Sequence, residues 1–238
     1  MVDAACRISG TDNEAYIFSG TKYMRITYQL GGDDSSQFTQ SPIIDSWEVL
    51  KSNGFGTIDA MVRVPGSDWH FYFFSGAKYL RLNLNPNTLV ETVVDEAASI
   101  YTWKTLERHG FDRVDAAMVV PGSEENLYLF RGKEWIDMSR RDQLISRGTI
   151  HESWPSLVAA GFETVDAIIE NTDHTYYVFS GHQYARIGME KDKDTLMGEV
   201  HDIKGTWNSL QNWPWWLIQL SKWSFDLGSW GYRDDIAA

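Results

Sequence analysis

The 238-residue sequence predicts an all-β fold: a four-bladed β-propeller with a short helix in each blade. Three observations carry this. An Asp-Ala pair recurs at Asp3-Ala4, Asp59-Ala60, Asp115-Ala116 and Asp166-Ala167, spaced by 56, 56 and 51 residues. Each pair is followed in the same order by Phe-x-Gly (beginning at Phe18, Phe74, Phe130 and Phe179), an aromatic three positions past the Gly (Tyr23, Tyr79, Trp135, Tyr184), and a Trp with Leu three residues on (Trp47, Trp103, Trp154, Trp207). A unit of about 50 residues cannot bury both faces of its own small sheet, so copies must stack on one another. Radial stacking leaves only short edges. A linear solenoid is the competing arrangement, but the terminal repeats lack the polar caps it needs.

The second repeat shows each element in order. Residues 59–64 are short and β-rich, and Pro65-Gly66-Ser67-Asp68 is a turn, because Pro and Gly together break a strand. Residues 69–74 hold the aromatic residues that pleated surfaces favour, and Ser75-Gly76-Ala77-Lys78 closes a hairpin. Residues 79–84 alternate, so one face is buried and the other wet. A weaker fourth strand follows around 91–94. The segment 101–109 reads as a short helix, with Trp103 and Leu106 on one face. Three repeats close with Gly-Phe (Gly54-Phe55, Gly110-Phe111, Gly161-Phe162). The blades run over about 2–57, 58–113, 114–164 and 165–216, and 217–238 form a Trp-rich tail.

The formal net charge is −12, from 21 Lys and Arg against 33 Asp and Glu. That charge repels phosphate backbones, which argues against nucleic acid as a partner, and its sign favours a cationic, metallic or polyamine-like ligand. A single cysteine, Cys6, forms no internal disulfide and reads as a small buried hydrophobe. The N-terminus lacks a secretory pattern and no apolar run is long enough to span a membrane, so a cytoplasmic protein is expected. No Gly-rich phosphate loop, Gly-x-Ser-x-Gly elbow, Cys-x-x-Cys pair or helical His pair is present. The acidic pairs Asp33-Asp34 and Glu124-Glu125 fall in expected turns and read as solvated charge.

The order Asp-Ala, Tyr-x-Phe-x-Gly-x-x-Tyr-x-Arg, Trp, Leu resembles the hemopexin-like repeat over residues 2 to about 216. Without a signal peptide or disulfide, the chain is similar to the intracellular legume seed albumins of the pea type. Secreted relatives usually tie the first and last blades with a disulfide, so here ring closure must rest on packing. The resemblance implies a narrow central channel lined by the strands that start at Asp-Ala. Backbone carbonyls would hold a calcium or sodium ion there, with a chloride further along. The matching positions are Asp3, Asp59, Asp115 and Asp166, and a ring of oxygens suits a hard cation. The alternative is that these Asp side chains only anchor the strand starts.

Four residues beyond each Asp stand Arg7, Arg63, Val119 and Glu170. Aligned blades bring them to one depth, where two guanidiniums facing one carboxylate and one apolar group grip a small anion or a carboxylate ligand, or form solvent-screened pairs at a rim. His70 and His174 occupy nearly equivalent places in opposite blades. Haem association among relatives makes them candidate axial ligands, against the reading of two loop histidines too far apart. The Tyr-x-Arg position reads Tyr23/Arg25, Tyr79/Arg81 and Tyr184/Arg186, but Trp135/Asp137 in the third repeat, whose spacing is also shorter. That quadrant is the one the pattern marks as a functional or interface side. Five of the 11 tryptophans lie at or after residue 213; this C-terminal segment reads as a strap over the base, a lid on a pocket or a homodimer contact.

Three functions stay open. The first is a ligand-binding or storage protein with a channel cation and a small ligand, a polyamine or haem, at the channel mouth. The second is a cofactor-independent cyclase or isomerase acting on an apolar substrate there. The third is a protein-interaction or dimerisation module.

Overall fold

The computed structural model describes residues 1–11, 13–29, 34–36, 40–85, 90–171, 174–190, 193–211 and 213. Blade 1 is β1 (Ala4–Arg7), β2 (Glu14–Ser19), β3 (Lys22–Tyr28) and β4 (Asp34–Ser36), with β5 (Ser41–Pro42) pairing back to β3, then α1 (Ile43–Ser46) and α2 (Glu48–Ser52). Blade 2 is β6 (Ala60–Arg63), β7 (His70–Ser75), β8 (Lys78–Asn85) and β9 (Val90–Ser99), a 3-10 turn (Ile100–Thr102) and α3 (Lys104–Arg108). Blade 3 is β10 (Ala116–Val119), β11 (Asn126–Arg131), β12 (Glu134–Ser139) and β13 (Gln143–Thr149), then α4 (Ile150–Ser153) and α5 (Pro155–Ala159). Blade 4 is β14 (Ala167–Glu170), β15 (Thr175–Ser180), β16 (Gln183–Glu190) and β17 (Lys193–Leu196), with β18 (His201–Asp202) pairing to β16 and a 3-10 turn (Asn208–Leu210).

Each sheet is antiparallel and ordered as the chain runs. The first strands meet around an axis: β1 packs against β6 and β14, and β10 against the same two, so the four sheets form a closed ring and not a row. Among the described residues no helix is long and apolar enough to cross a membrane. The aromatic tail beyond Trp213 lies outside the described residues, and Asp33 does too. Trp213 itself is buried in the core between blades 4 and 1.

The repeat markers now have physical meanings. Each Asp of the Asp-Ala pairs accepts the N–H of its own hairpin Gly: Asp3 from Gly20, Asp59 from Gly76, Asp115 from Gly132 and Asp166 from Gly181, each at 2.6 Å. Those glycines sit at positive φ, 53° to 61°, which other residues adopt at a cost. The Gly-Phe pairs are helix stops. In blade 1 the N–H of Phe55 bonds back to Leu50 O and that of Gly54 to Lys51 O, a Schellman arrangement repeated at Phe111/Leu106 and Phe162/Leu157.

Two expectations are adjusted. The fourth strand of blade 2 is longer than 91–94, and the helix at 101–109 is two short turns broken at Trp103. The break is extended backbone (φ −82°, ψ 101°), and the Trp103 ring meets Tyr72 and Tyr79 edge-on, each at 5.3 Å. All four blades repeat this box of a Trp against two aromatics of β2 and β3 or their counterparts. Such pairs add about 0.5–1.5 kcal/mol beyond area burial.

Breaking at Trp leaves the helical turn that follows each Trp without a side-chain N-cap of its own. An acid from the next blade supplies it. Glu91 accepts from Val49 N, Asp142 from Lys104 N and Thr105 N, Asp194 from Ser156 N, and Asp34 of blade 1 from Asn208 N and Ser209 N of blade 4. The last of these joins the two ends of the ring. Beside it, blade 1 residues Ile17, Ile26 and Tyr28 share one core with Tyr177, Phe179 and Trp207 of blade 4.

Candidate functional site

β1, β6, β10 and β14 each pair with a strand on one side only, so their other edges, which no strand takes up, turn backbone groups toward the axis. The cavity they enclose is about 20 Å³, lined by Cys6, Arg7, Met61, Arg63, Met118 and Glu170 among others from all four strands. That is room for one water or one monatomic ion. Burial pushes the Cys6 thiol up to about 12, with Glu170 adding to the rise, so it stays protonated and is no nucleophile.

Arg7, Arg63 and Glu170 all line this cavity. Each guanidinium latches its own following turn: Arg7 Nη1 donates to Thr11 O at 2.8 Å and Arg63 Nη1 to Ser67 O at 3.3 Å. Arg63 also stands 3.9 Å from the Glu170 carboxylate. Val119 fills the fourth position as a buried apolar residue. Directly outside lies a mouth of about 440 Å³, lined by Arg63, Asp68, Glu124, Glu170, His174 and Tyr176, with the turns of blades 2 and 3 completing it.

The four Asp carboxylates do not gather around an ion: among the described residues no three His, Cys, Asp or Glu side chains could hold a metal together. Each has an oxygen committed to a hairpin amide instead. Any axial cation would therefore be held by the strand carbonyls, as oxygen ligands suit a hard ion. Haem does not fit. His174, at φ 60°, lines the mouth, but His70 is absent from its lining; it starts β7 and its N–H bonds Ser67 Oγ. The walls are largely polar and charged, the opposite of what a large apolar macrocycle needs.

A sheet order of four antiparallel blades around one axis, closed by non-covalent contact, has close structural counterparts. A 2S albumin seed protein from Dolichos superposes with a TM-score of 0.80 at 26% identity, covering 88% of this chain and 97% of that one. The hemopexin fold protein CP4 from cow pea gives 0.82 at 24% identity, covering 90% and 98%. The chain is a hemopexin-fold propeller. A plant lectin from Cicer arietinum, described as having two metal binding sites, gives 0.81 at 24% identity, covering 88% and 96%. No family model matches this propeller, and no curated protein does.

The third blade of the propeller departs from the others at Asp137. In blade 1 the equivalent Arg25 pairs with Glu14, and in blade 2 Arg81 pairs with Asp95 at 2.8 Å. Asp137 is 7% exposed, and its Oδ1 is buried without a hydrogen-bond partner. Desolvation pushes its carboxyl up to about 6 from 3.8. Between those values the folded state holds the proton and the unfolded state has lost it. The group therefore favours folding at low pH, and that contribution is lost as pH rises through about 6. Asp137→Asn is expected to raise stability by about 1–2 kcal/mol at pH 7 and by about half as much at pH 5. Urea midpoints of both proteins at the two pH values check this; equal midpoints at pH 7 would refute it.

Proposed function

We propose that this hemopexin-fold propeller is a ligand-binding protein that holds one hard cation, calcium or sodium, on its axis and takes an amine-bearing ligand of the polyamine class at the adjoining mouth. The observation that carries the reading is the convergence of four unpaired strand edges on a cavity of ionic size. Carbonyl oxygens at such edges are neutral ligands that bind a cation without requiring a cluster of acids. The mouth supports the second half. Asp68, Glu124 and Glu170 outnumber its one guanidinium, Arg63, so it favours a cation over an anion, as does the net charge of −12.

Calcium titrated into chelator-stripped protein should show one saturable site per chain. The melting midpoint should rise with concentration, and at a hundredfold excess over Kd the gain is about 2.7 kcal/mol. A midpoint that neither calcium nor sodium moves would sink the axial site. At the mouth, Glu170→Gln is expected to weaken spermidine binding by about tenfold, since it removes one charge-assisted contact. Unchanged spermidine affinity in a calorimetric titration would remove the mouth from the reading.

A further inference from the structure

A second cavity, separate from the axis, lies in the groove between blades 3 and 4. Its volume is about 910 Å³, and Tyr128, Trp135, Asp137, Trp154, Glu190 and Asp194 line it together with Ser146, Lys193 and others. The corresponding groove between blades 4 and 1 is about 450 Å³ and presents the same box, Tyr177, Tyr184 and Trp207, but with Arg186 where the first has Asp137. The blades thus share one design, an aromatic box with a guanidinium at its edge. In blade 2 that guanidinium hydrogen-bonds Tyr72, and in blade 4 Arg186 Nε donates to Thr175 Oγ1 at 3.3 Å.

Blade 3 keeps the box and inverts the charge. Tyr128, Trp135 and Trp154 meet edge-to-face at 5.1 to 5.9 Å. At the edge stands the buried Asp137, with one carboxylate oxygen unpartnered. A register shift after Asp137 pairs Met138 with Leu144 and leaves Ile145 as the extra residue on the groove wall. Bulges of this kind re-aim side chains and are over-represented beside functional sites. Leaving a buried acceptor unmet costs stability, and a cation that supplies N–H donors removes that cost. Aromatic walls add attraction for the same charge.

We propose that the groove between blades 3 and 4 is a binding site for a small organic cation with a guanidinium or primary ammonium head, which occupies the place Arg25, Arg81 and Arg186 hold in the other blades. Asp137 accepts hydrogen bonds from the head, the Tyr128, Trp135 and Trp154 rings enclose its stem, and Glu190 and Asp194 lie on the opposite wall from blade 4. The site is independent of the axial and mouth readings, since none of these residues except the turn 120–123 lines the mouth.

The probe is n-propylguanidinium, the arginine side chain without its backbone, titrated into the full chain by calorimetry with amide and indole NMR. Saturable binding with a Kd of about 1 mM or tighter is expected, with a shift of the Trp135 indole N–H, which donates to Thr149 O. Asp137→Asn should weaken it by about tenfold or more. Asp137→Arg should abolish it by filling the site from within, and neutral n-propylurea should not bind. Lowering the pH from 7 to 5 should weaken the wild type about tenfold as Asp137 protonates; Glu190, Lys193, Asp194 and Tyr128 are the other ionisable groups facing the groove. Equal binding by Asp137→Asn, equal binding of the urea, or no saturation overturns the proposal. Glu170→Gln at the mouth is expected to leave propylguanidinium affinity unchanged, so failure here and failure of the mouth reading are read separately.

Discussion

Trp207→Ala is expected to lower the unfolding free energy by about 3–5 kcal/mol, the range for removing a large buried aromatic. Trp207 is 4% exposed and packs against Tyr28 of blade 1 and against Tyr177, Phe179 and Tyr184 of blade 4, at centroid distances of 5.3 to 6.2 Å. It is thus a floor for its own blade and part of the seam between the two ends of the chain. No disulfide backs up that seam, because Cys6 is the one cysteine. The equivalent Trp47→Ala removes a similar area between blades that the chain already links in sequence. Urea unfolding should show comparable losses for both, while hydrogen exchange in β1 and β14 should accelerate far more for Trp207→Ala. Equal exchange in the two variants would show that the seam is closed by something other than this core.

Asp34→Ala is expected to cost about 1–3 kcal/mol, because it leaves several partly buried donors without their acceptor at once. Asp34 is 7% exposed, accepts from Asn208 N and Ser209 N, and also meets the Ser209 hydroxyl. It bridges residues 174 positions apart. Asp142→Ala breaks the like clamp between blades 2 and 3, where Lys104 N and Thr105 N are the donors. Its loss should be of the same order, without opening the ring. Limited proteolysis distinguishes them: Asp34→Ala should expose blade 1 to cleavage in the native state and Asp142→Ala should not. An unchanged urea midpoint for Asp34→Ala would contradict the clamp.

The blade count and the hairpins were legible because their signals are local and repeated. A Gly at positive φ, an Asp 17 or 15 residues before it and a Trp-to-Gly-Phe helical stop all act within one unit. The same constant spacing explains the Asp residues better than a shared ion does, since each carboxylate has an amide partner within its own blade. Arg7, Arg63 and Glu170 line one cavity because equal offsets from a repeated start give equal depth in a ring. His70 and His174 do not line one mouth, because they stand one residue out of step: His174 O accepts from Met189 N as Trp69 O does from Leu84 N, so His174 corresponds to Trp69 and His70 to Thr175. The inter-blade clamps were not foreseen. Their one sequence signal was a Trp standing where a helix N-cap should be, which means the cap arrives from elsewhere.

The order of residues thus determined by itself that four aromatic units form, where each hairpin turns, and that blade 3 carries an acid in place of an arginine. These follow from backbone preferences and hydrogen bonds among near neighbours. Only the tertiary structure decided that the axial cavity shrinks to the size of an ion, that Asp34 closes the ring, and that Asp137 is buried facing an open groove. Those outcomes depend on how whole sheets pack, and burial of a charge is a property of its surroundings.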